Sequence, residues 1–196
     1  PKPYYAQLGW TALDRTIPLP VDTSVWQTNR QTLSPGNPVT LTWDNGKGLL
    51  FKRQISVDKD YLFNITQTVV NRTNTPVTLY PYGLVSRTDT PETLGFFILH
   101  EGLIGVFNSQ LEEVDYDDLE EAKTQTHDST GGWLGITDKY WLMALIPNQN
   151  EKFTRGIKEI DKSQLNDGNV LVKVDYSSLN YKDALILNDG GKIVRK

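Results

Sequence analysis

The stretch Trp43-Asp44-Asn45-Gly46-Lys47-Gly48, followed by Phe51-Lys52-Arg53-Gln54-Ile55-Ser56-Val57 and, after Asp58-Lys59-Asp60, by Tyr61 to Val70, decides the fold. Asn45-Gly46 is a hairpin signal, because these two residue types tolerate the positive φ values that a tight turn demands. Beyond it the side chains alternate with period 2. Phe51, Ile55 and Val57 fall on one face, while Lys52, Gln54 and Ser56 fall on the other, which is the pattern of a half-buried strand. After the polar turn Asp58-Lys59-Asp60, Tyr61, Phe63, Ile65 and Val69 again share a face. Two adjacent strands of an antiparallel sheet follow from this pattern alone.

The same grammar extends outward. Asn71 to Pro76 closes another hairpin, and Val77 to Val85 is a further strand that Pro81 confines to an edge or a bulge, since proline has no N–H to give to a ladder. Phe96-Phe97-Ile98-Leu99 and Leu103-Ile104-Gly105-Val106-Phe107 flank His100-Glu101-Gly102 as a hairpin would. Trp133-Leu134-Gly135-Ile136, the turn Thr137-Asp138-Lys139 and Tyr140 to Ile146 make one more. Short strands at this spacing, without a helical period between them, predict an all-β, antiparallel sandwich. Leu111 to Ala122 interrupts it with seven carboxylates in twelve residues. Helix and acidic loop both remain open there, and a solvated face is the expected role because adjacent like charges need water. A calcium loop would need alternating ligand positions and a glycine that this segment lacks.

Composition narrows the function. The chain has 196 residues, with 38% hydrophobic and 22% charged side chains, five Trp and nine Tyr, as a globular protein with one main core would have. A net charge of −4 with no basic cluster argues against nucleic-acid binding. With no cysteine, disulfides, thiolate nucleophiles and cysteine zinc sites are excluded. No stretch approaches the roughly 18 apolar residues of a membrane span, so a soluble piece is expected.

Candidate chemistry is sparse. His127-Asp128-Ser129 contains the residue types of a hydrolase triad, but three neighbours cannot easily align hydroxyl, imidazole and carboxylate, so a turn before Gly131-Gly132 is expected instead. His100 beside Glu101 suggests a metal or acid/base pair, yet two histidines at this spacing fit no ligand pattern, and a hairpin turn is the reading. Gly102, Gly105, Gly131, Gly132 and Gly135 lack the strand-to-helix context of a phosphate loop. Tyr4, Tyr5, Trp10, Trp26 and Trp43 could line a groove, although core packing is the usual fate of aromatics in a sandwich. No catalytic, cofactor-binding or metal residues are assigned, and no cofactor is expected.

Several segments, in order, resemble the periplasmic domain of YidC-type membrane protein insertases. They are Pro3-Tyr4-Tyr5-Ala6-Gln7-Leu8-Gly9-Trp10, Phe51 to Tyr61, Thr68-Val69-Val70-Asn71-Arg72-Thr73, Gly95-Phe96-Phe97, His100-Glu101-Gly102, Gly131 to Trp141 and Ala144-Leu145-Ile146-Pro147. The resemblance implies a β-supersandwich, incomplete here at both ends, on the periplasmic side of the bacterial inner membrane. It also implies a non-catalytic interaction domain whose partners are Sec translocon components and nascent membrane proteins. Open sheet edges add the possibility of self-association.

Near Thr154-Arg155 a second resemblance begins. Ile157 to Asp161, Asn169 to Leu185 and Gly191 to Lys196, above all Ser177-Ser178-Leu179-Asn180-Tyr181-Lys182-Asp183, are similar to the N-terminus of zinc-free medium-chain quinone-oxidoreductase-like enzymes and acrylyl-CoA reductases. The expected division is thus residues 1–153, a sandwich fragment carrying −6, and residues 154–196, a short β-containing tail carrying +2. This resemblance implies an alternative function, a fragment of an NADPH-dependent reductase with Asn180, Tyr181 and Lys182 near its cofactor. Val170, Val172, Val174 and Tyr176 also alternate as a strand that could complete the sandwich.

Overall fold

The structure, a computed structural model, describes residues 4–88, 91, 93, 99–121, 125–139 and 141–157. Twelve strands and one short helix occur among them, so the fold is all-β, and the strand pairings with a defined register are antiparallel. They divide between two compact units where the chain's length suggested one main core. One unit holds residues 8–82 and the other residues 4–7 with 83–157.

In the unit of residues 8–82, strands β2 (Gln27–Thr28), β3 (Val39–Asp44), β4 (Leu49–Val57) and β5 (Phe63–Asn71) form a sheet in that order. Most of β1 (Tyr4–Ala12) also belongs here. Its partner is β6 (Leu79–Arg87), a strand with a neighbour on one side only among the described residues, as suits Pro81. The β3–β4 hairpin has a four-residue loop rather than a two-residue turn. Gly46 and Gly48 take the positive φ values, +69° and +88°, and the Asn45 side chain accepts the N–H groups of Lys47 and Leu49. A side chain thus closes this turn, where the sequence suggested the dipeptide backbone alone.

The core of this unit is Trp10, Leu49 and Phe51. Phe51 is fully buried, with the Trp10 ring edge-on at 5.1 Å and Trp43 at 5.6 Å, so β1 covers one face of the sheet. Arg53 extends this layer between Trp10 and Trp26, 5.6 Å and 5.3 Å from their centroids, while its guanidinium donates to Leu8 O and Gln67 Oε1. Burial lowers the Arg53 pKa, and the ring faces supply part of the solvation that water no longer gives. Burial fades toward the far end of the β4–β5 hairpin. There Tyr61, Leu62, Phe63 and Ile65 are all exposed, so the expected common face exists but is not covered at that end.

In the other unit, β11 (Trp141–Leu145), β10 (Gly132–Asp138), β7 (Gly102–Phe107) and β8 (Gln110–Asp115) form a second sheet in that order. The β10–β11 hairpin is the one expected. Strand β7 pairs with β10 on one side and β8 on the other; of its expected hairpin partner, Phe96 to Leu99, all but Leu99 lie outside the described residues. The acidic segment is half strand, half helix. Gln110 to Asp115 is β8, reached through Asn108 and Ser109 with φ of +49° and +66°, and Tyr116–Glu121 is α1. The apolar residues Leu111 and Val114 are three apart and fall on opposite faces of β8, so no period-2 alternation marks this strand in the sequence.

An antiparallel pair of β9 (Gln125–Thr130) and β12 (Lys152–Ile157), with β10 and β11 between them in the chain, packs Phe153 against Phe107 of β7, with centroids 6.5 Å apart. Arg155 is buried over the same ring at 3.7 Å and pairs with Glu112. Strand β12 therefore runs through Thr154 and Arg155, where the second resemblance was expected to begin. The rest of that tail lies outside the described residues, including Val170 to Tyr176, Ser177 to Asp183 and the trio Asn180, Tyr181 and Lys182.

Candidate interaction surface

Sheet edges carry unpaired N–H and C=O groups, so how each edge is protected decides what the surface can do. The two four-stranded sheets have four edges. Strand β2 is two residues long and offers almost nothing to pair with. Strand β8 is guarded by Glu112, Glu113 and Asp115. The remaining two, β5 and β11, contain no charged residue at all.

Strand β11 pairs with β10 through Leu134↔Leu145 to Asp138↔Trp141 and has no neighbour on its other side among the described residues. Leu142, Ala144 and the following Ile146 lie on one exposed face, Leu142 at 53% and Ile146 at 62%, and Trp141 adds a half-exposed indole. An extended apolar chain could gain backbone hydrogen bonds and apolar cover together here. Strand β5 presents the same combination in the other unit, through Phe63 and Ile65.

Behind the β10–β11 turn sits a polar clamp. Asp138 Oδ2 accepts from the Tyr4 hydroxyl and from Arg87 Nε at 2.5 Å, and Oδ1 accepts from the Tyr116 hydroxyl at 2.6 Å. Arg87 lies over the rings of Tyr4 and Tyr116, at 5.6 Å and 5.7 Å. Two effects oppose each other at this carboxylate. The arginine favours its charged form, burial disfavours it more, and its pKa is pushed up to about 6. Burial also pushes the Tyr116 phenol up to about 12; Arg87 opposes and Glu101 adds to the shift. With both oxygens accepting from donors on β1, β6 and α1, the cluster is built to hold elements together.

The residues singled out for chemistry are dispersed. His127, Asp128 and Ser129 lie on β9, a strand and not the expected turn, because their partners Arg155, Thr154 and Phe153 continue the ladder across them. Successive strand residues face opposite ways. Accordingly Asp128 accepts from the Thr154 hydroxyl at 2.8 Å, while buried Ser129 accepts from Asn108 N–H and donates to Gly131 O. His100 pairs with Asp115 at 3.1 Å and reaches Leu103 O, and Glu101 accepts the Lys139 N–H, so the two neighbours serve different partners. Among the described residues, no three His, Asp or Glu side chains converge as a metal site would need. Of the aromatic set, Trp10, Trp26 and Trp43 pack in or against the core, and Tyr4 joins the clamp. The clamp itself was invisible in the sequence, where no short-range pattern joins residues 4, 87, 116 and 138.

A shallow groove of about 700 Å³ lies in the unit of residues 8–82, between Leu13, Ile17, Pro18, Leu49, Pro76 and Val77. Asp14 and Lys47 are its charged members. No helix among the described residues is long and apolar enough to cross a membrane.

Residues 1–181 match the family described as the YidC periplasmic domain. The chain belongs to that family. Relatives called membrane protein insertase YidC include one from Methylorubrum extorquens, 47% identical over 80% of this chain and 27% of its own length. Another, from Beijerinckia indica, is 48% identical over 78% of this chain and 26% of its own. A third, from Bradyrhizobium diazoefficiens, is 50% identical over 75% and 24%. The chain thus spans about a quarter of the length of these YidC relatives. The YidC match runs past the boundary expected near Thr154-Arg155, and none of these relatives supports a reductase-like tail.

Proposed function

We propose that this YidC periplasmic domain is a non-catalytic interaction module that assists insertion and folding of inner-membrane proteins by holding extended apolar segments of the emerging chain along β11. The observation that carries the reading is the uncharged, unpaired β11 edge with Leu142, Ala144 and Ile146 on one exposed face. A membrane protein on its way into the bilayer exposes long apolar stretches. Such a stretch, paired as an added strand, would satisfy the half of its backbone groups that face β11 and cover the side chains on one of its faces at once. Sec translocon components are the second class of partner, on the strength of the family resemblance; the insertase relatives fit both.

Hydrogen exchange with an extended peptide from an apolar membrane segment tests the β11 reading. The expected result is slowed exchange at Leu142 to Leu145 on adding peptide, lost in a Leu142→Lys, Ala144→Lys double variant. Unchanged exchange there with the peptide bound elsewhere overturns it, and so does binding of NADPH by the full chain in a calorimeter.

A further inference from the structure

Strand β5 is also uncharged and has β4 as its one neighbour among the described residues, yet its sequence suits a more specific partner than an apolar peptide. Within Phe63-Asn64-Ile65-Thr66-Gln67-Thr68-Val69-Val70-Asn71, the central Ile65-Thr66-Gln67-Thr68-Val69 is close to a palindrome about Gln67. In an antiparallel pair two residues face each other only if they sit on the same side of the pleat, so a two-fold axis must pass through a residue position. Placed at Gln67, that axis pairs all nine residues. Ile65 meets the partner's Val69, Thr66 meets the partner's Thr68, and Gln67 meets the partner's Gln67. The first is a cross-strand apolar pair and the second a hydroxyl pair, both favourable neighbours in a sheet, while the outer pairs, Asn64 with the partner's Val70 and Phe63 with the partner's Asn71, are mixed. No charge meets its like.

We infer that β5 is a homodimerisation edge: two copies of this chain join their β2–β3–β4–β5 sheets into one continuous eight-stranded sheet, in antiparallel register about Gln67. Three observations favour a second copy over other occupants. The register is self-complementary from Ile65 to Val69; Ile65, which would meet the partner's Val69, remains 38% exposed on the folded unit; and the edge lacks the carboxylates that guard β8. A one-strand interface is small, so the dimer is of micromolar or weaker affinity. It goes beyond client binding, because the two edges lie in different units and either can fail alone.

The chain has no cysteine, so a single introduced one reports only contact between copies. In Gln67→Cys the two thiols face each other across a pair whose Cα atoms are about 4.5–5.5 Å apart, within disulfide reach. In Asn64→Cys the two copies of the same residue lie six positions apart, roughly 20 Å along the strand, and cannot bridge. Mild oxidation is expected to link Gln67→Cys at least about tenfold faster than either Asn64→Cys or Thr66→Cys. Because Gln67 also accepts a hydrogen bond from Arg53, the wild-type chain provides an independent readout. Its sedimentation should rise with concentration, its β5 amides should gain protection in parallel, and Ile65→Lys should abolish both. A chain that stays monomeric overturns the inference, as does β5 protection that ignores concentration, which would mean another segment covers the edge. Faster linkage of Thr66→Cys overturns the register.

Discussion

The two units reach the same all-β plan by opposite means. Residues 8–82 gather Trp10, Leu49 and Phe51 into an apolar centre, with Trp26, Trp43 and Val69 packed against it. Residues 4–7 and 83–157 bury less: Phe107 and Ile136 are their only buried large apolar side chains among the described residues, and Asp138 ties Tyr4, Arg87 and Tyr116 together instead. Apolar burial is non-directional and tolerates repacking, whereas a buried carboxylate demands each donor in place. The first unit should therefore lose stability in proportion to volume removed, and the second in proportion to partners stranded.

The largest effect is expected at Phe51. Phe51→Ala leaves a cavity beneath Trp10 and Trp43 and should cost about 3–5 kcal/mol in chemical denaturation, with protection lost in residues 8–82 first. Equal loss of protection in residues 83–157 would break the contrast. Next comes Asp138→Ala, which strands three donors inside the second unit and should cost about 2–4 kcal/mol. In this case hydrogen exchange should speed up around Arg87, Tyr116 and Asp138 while the Trp10 cluster is unaffected.

The same residue gives a signed pH effect. The folded carboxyl titrates near 6, while an unfolded aspartate titrates near 3.9, so the native state holds its proton to higher pH. Stability from this group is therefore full below about pH 4 and declines as pH rises through 6, by an amount on the order of 2 kcal/mol. Asp138→Asn, which cannot ionise, should flatten the decline. A carbon chemical-shift titration placing the Asp138 midpoint at or below 4 would show that Arg87, and not burial, governs the clamp.

How much of this could be read in the sequence follows from the same contrast. The β3–β4–β5 meander was legible because alternation and turn residues are local signals, and Phe51 and Trp10 read as core for the same reason. The clamp was not, because Tyr4, Arg87, Tyr116 and Asp138 are ordinary polar residues until the fold brings them together. Strand β8 was hidden for another reason: Leu111 and Val114, three apart inside an acidic run, do not alternate, and the Asn108-Ser109 turn holds two positive φ values without a glycine. Strand β9 was obscured by His127-Asp128-Ser129, whose polarity suggested a turn although the ladder to β12 holds all three in a strand. Which edges stay open cannot be read from any strand alone, since that depends on sheet order.

The smallest effect on stability, and the one most diagnostic of function, is expected at the edges. Leu142 on β11 is half exposed, so Leu142→Lys removes little buried surface and should change stability by no more than about 0.5 kcal/mol. What it changes is the edge. A lysine there supplies the guard that β8 has and β11 lacks, because a strand approaching from solvent would have to desolvate the ammonium or force it aside. Apolar-peptide binding should therefore weaken at least about tenfold with melting unaltered, whereas Glu113→Lys on β8, already a charged edge, should leave binding as it was. If both substitutions weakened binding alike, net charge and not the β11 edge would be setting affinity, and the distinction between guarded and open edges would have no functional content.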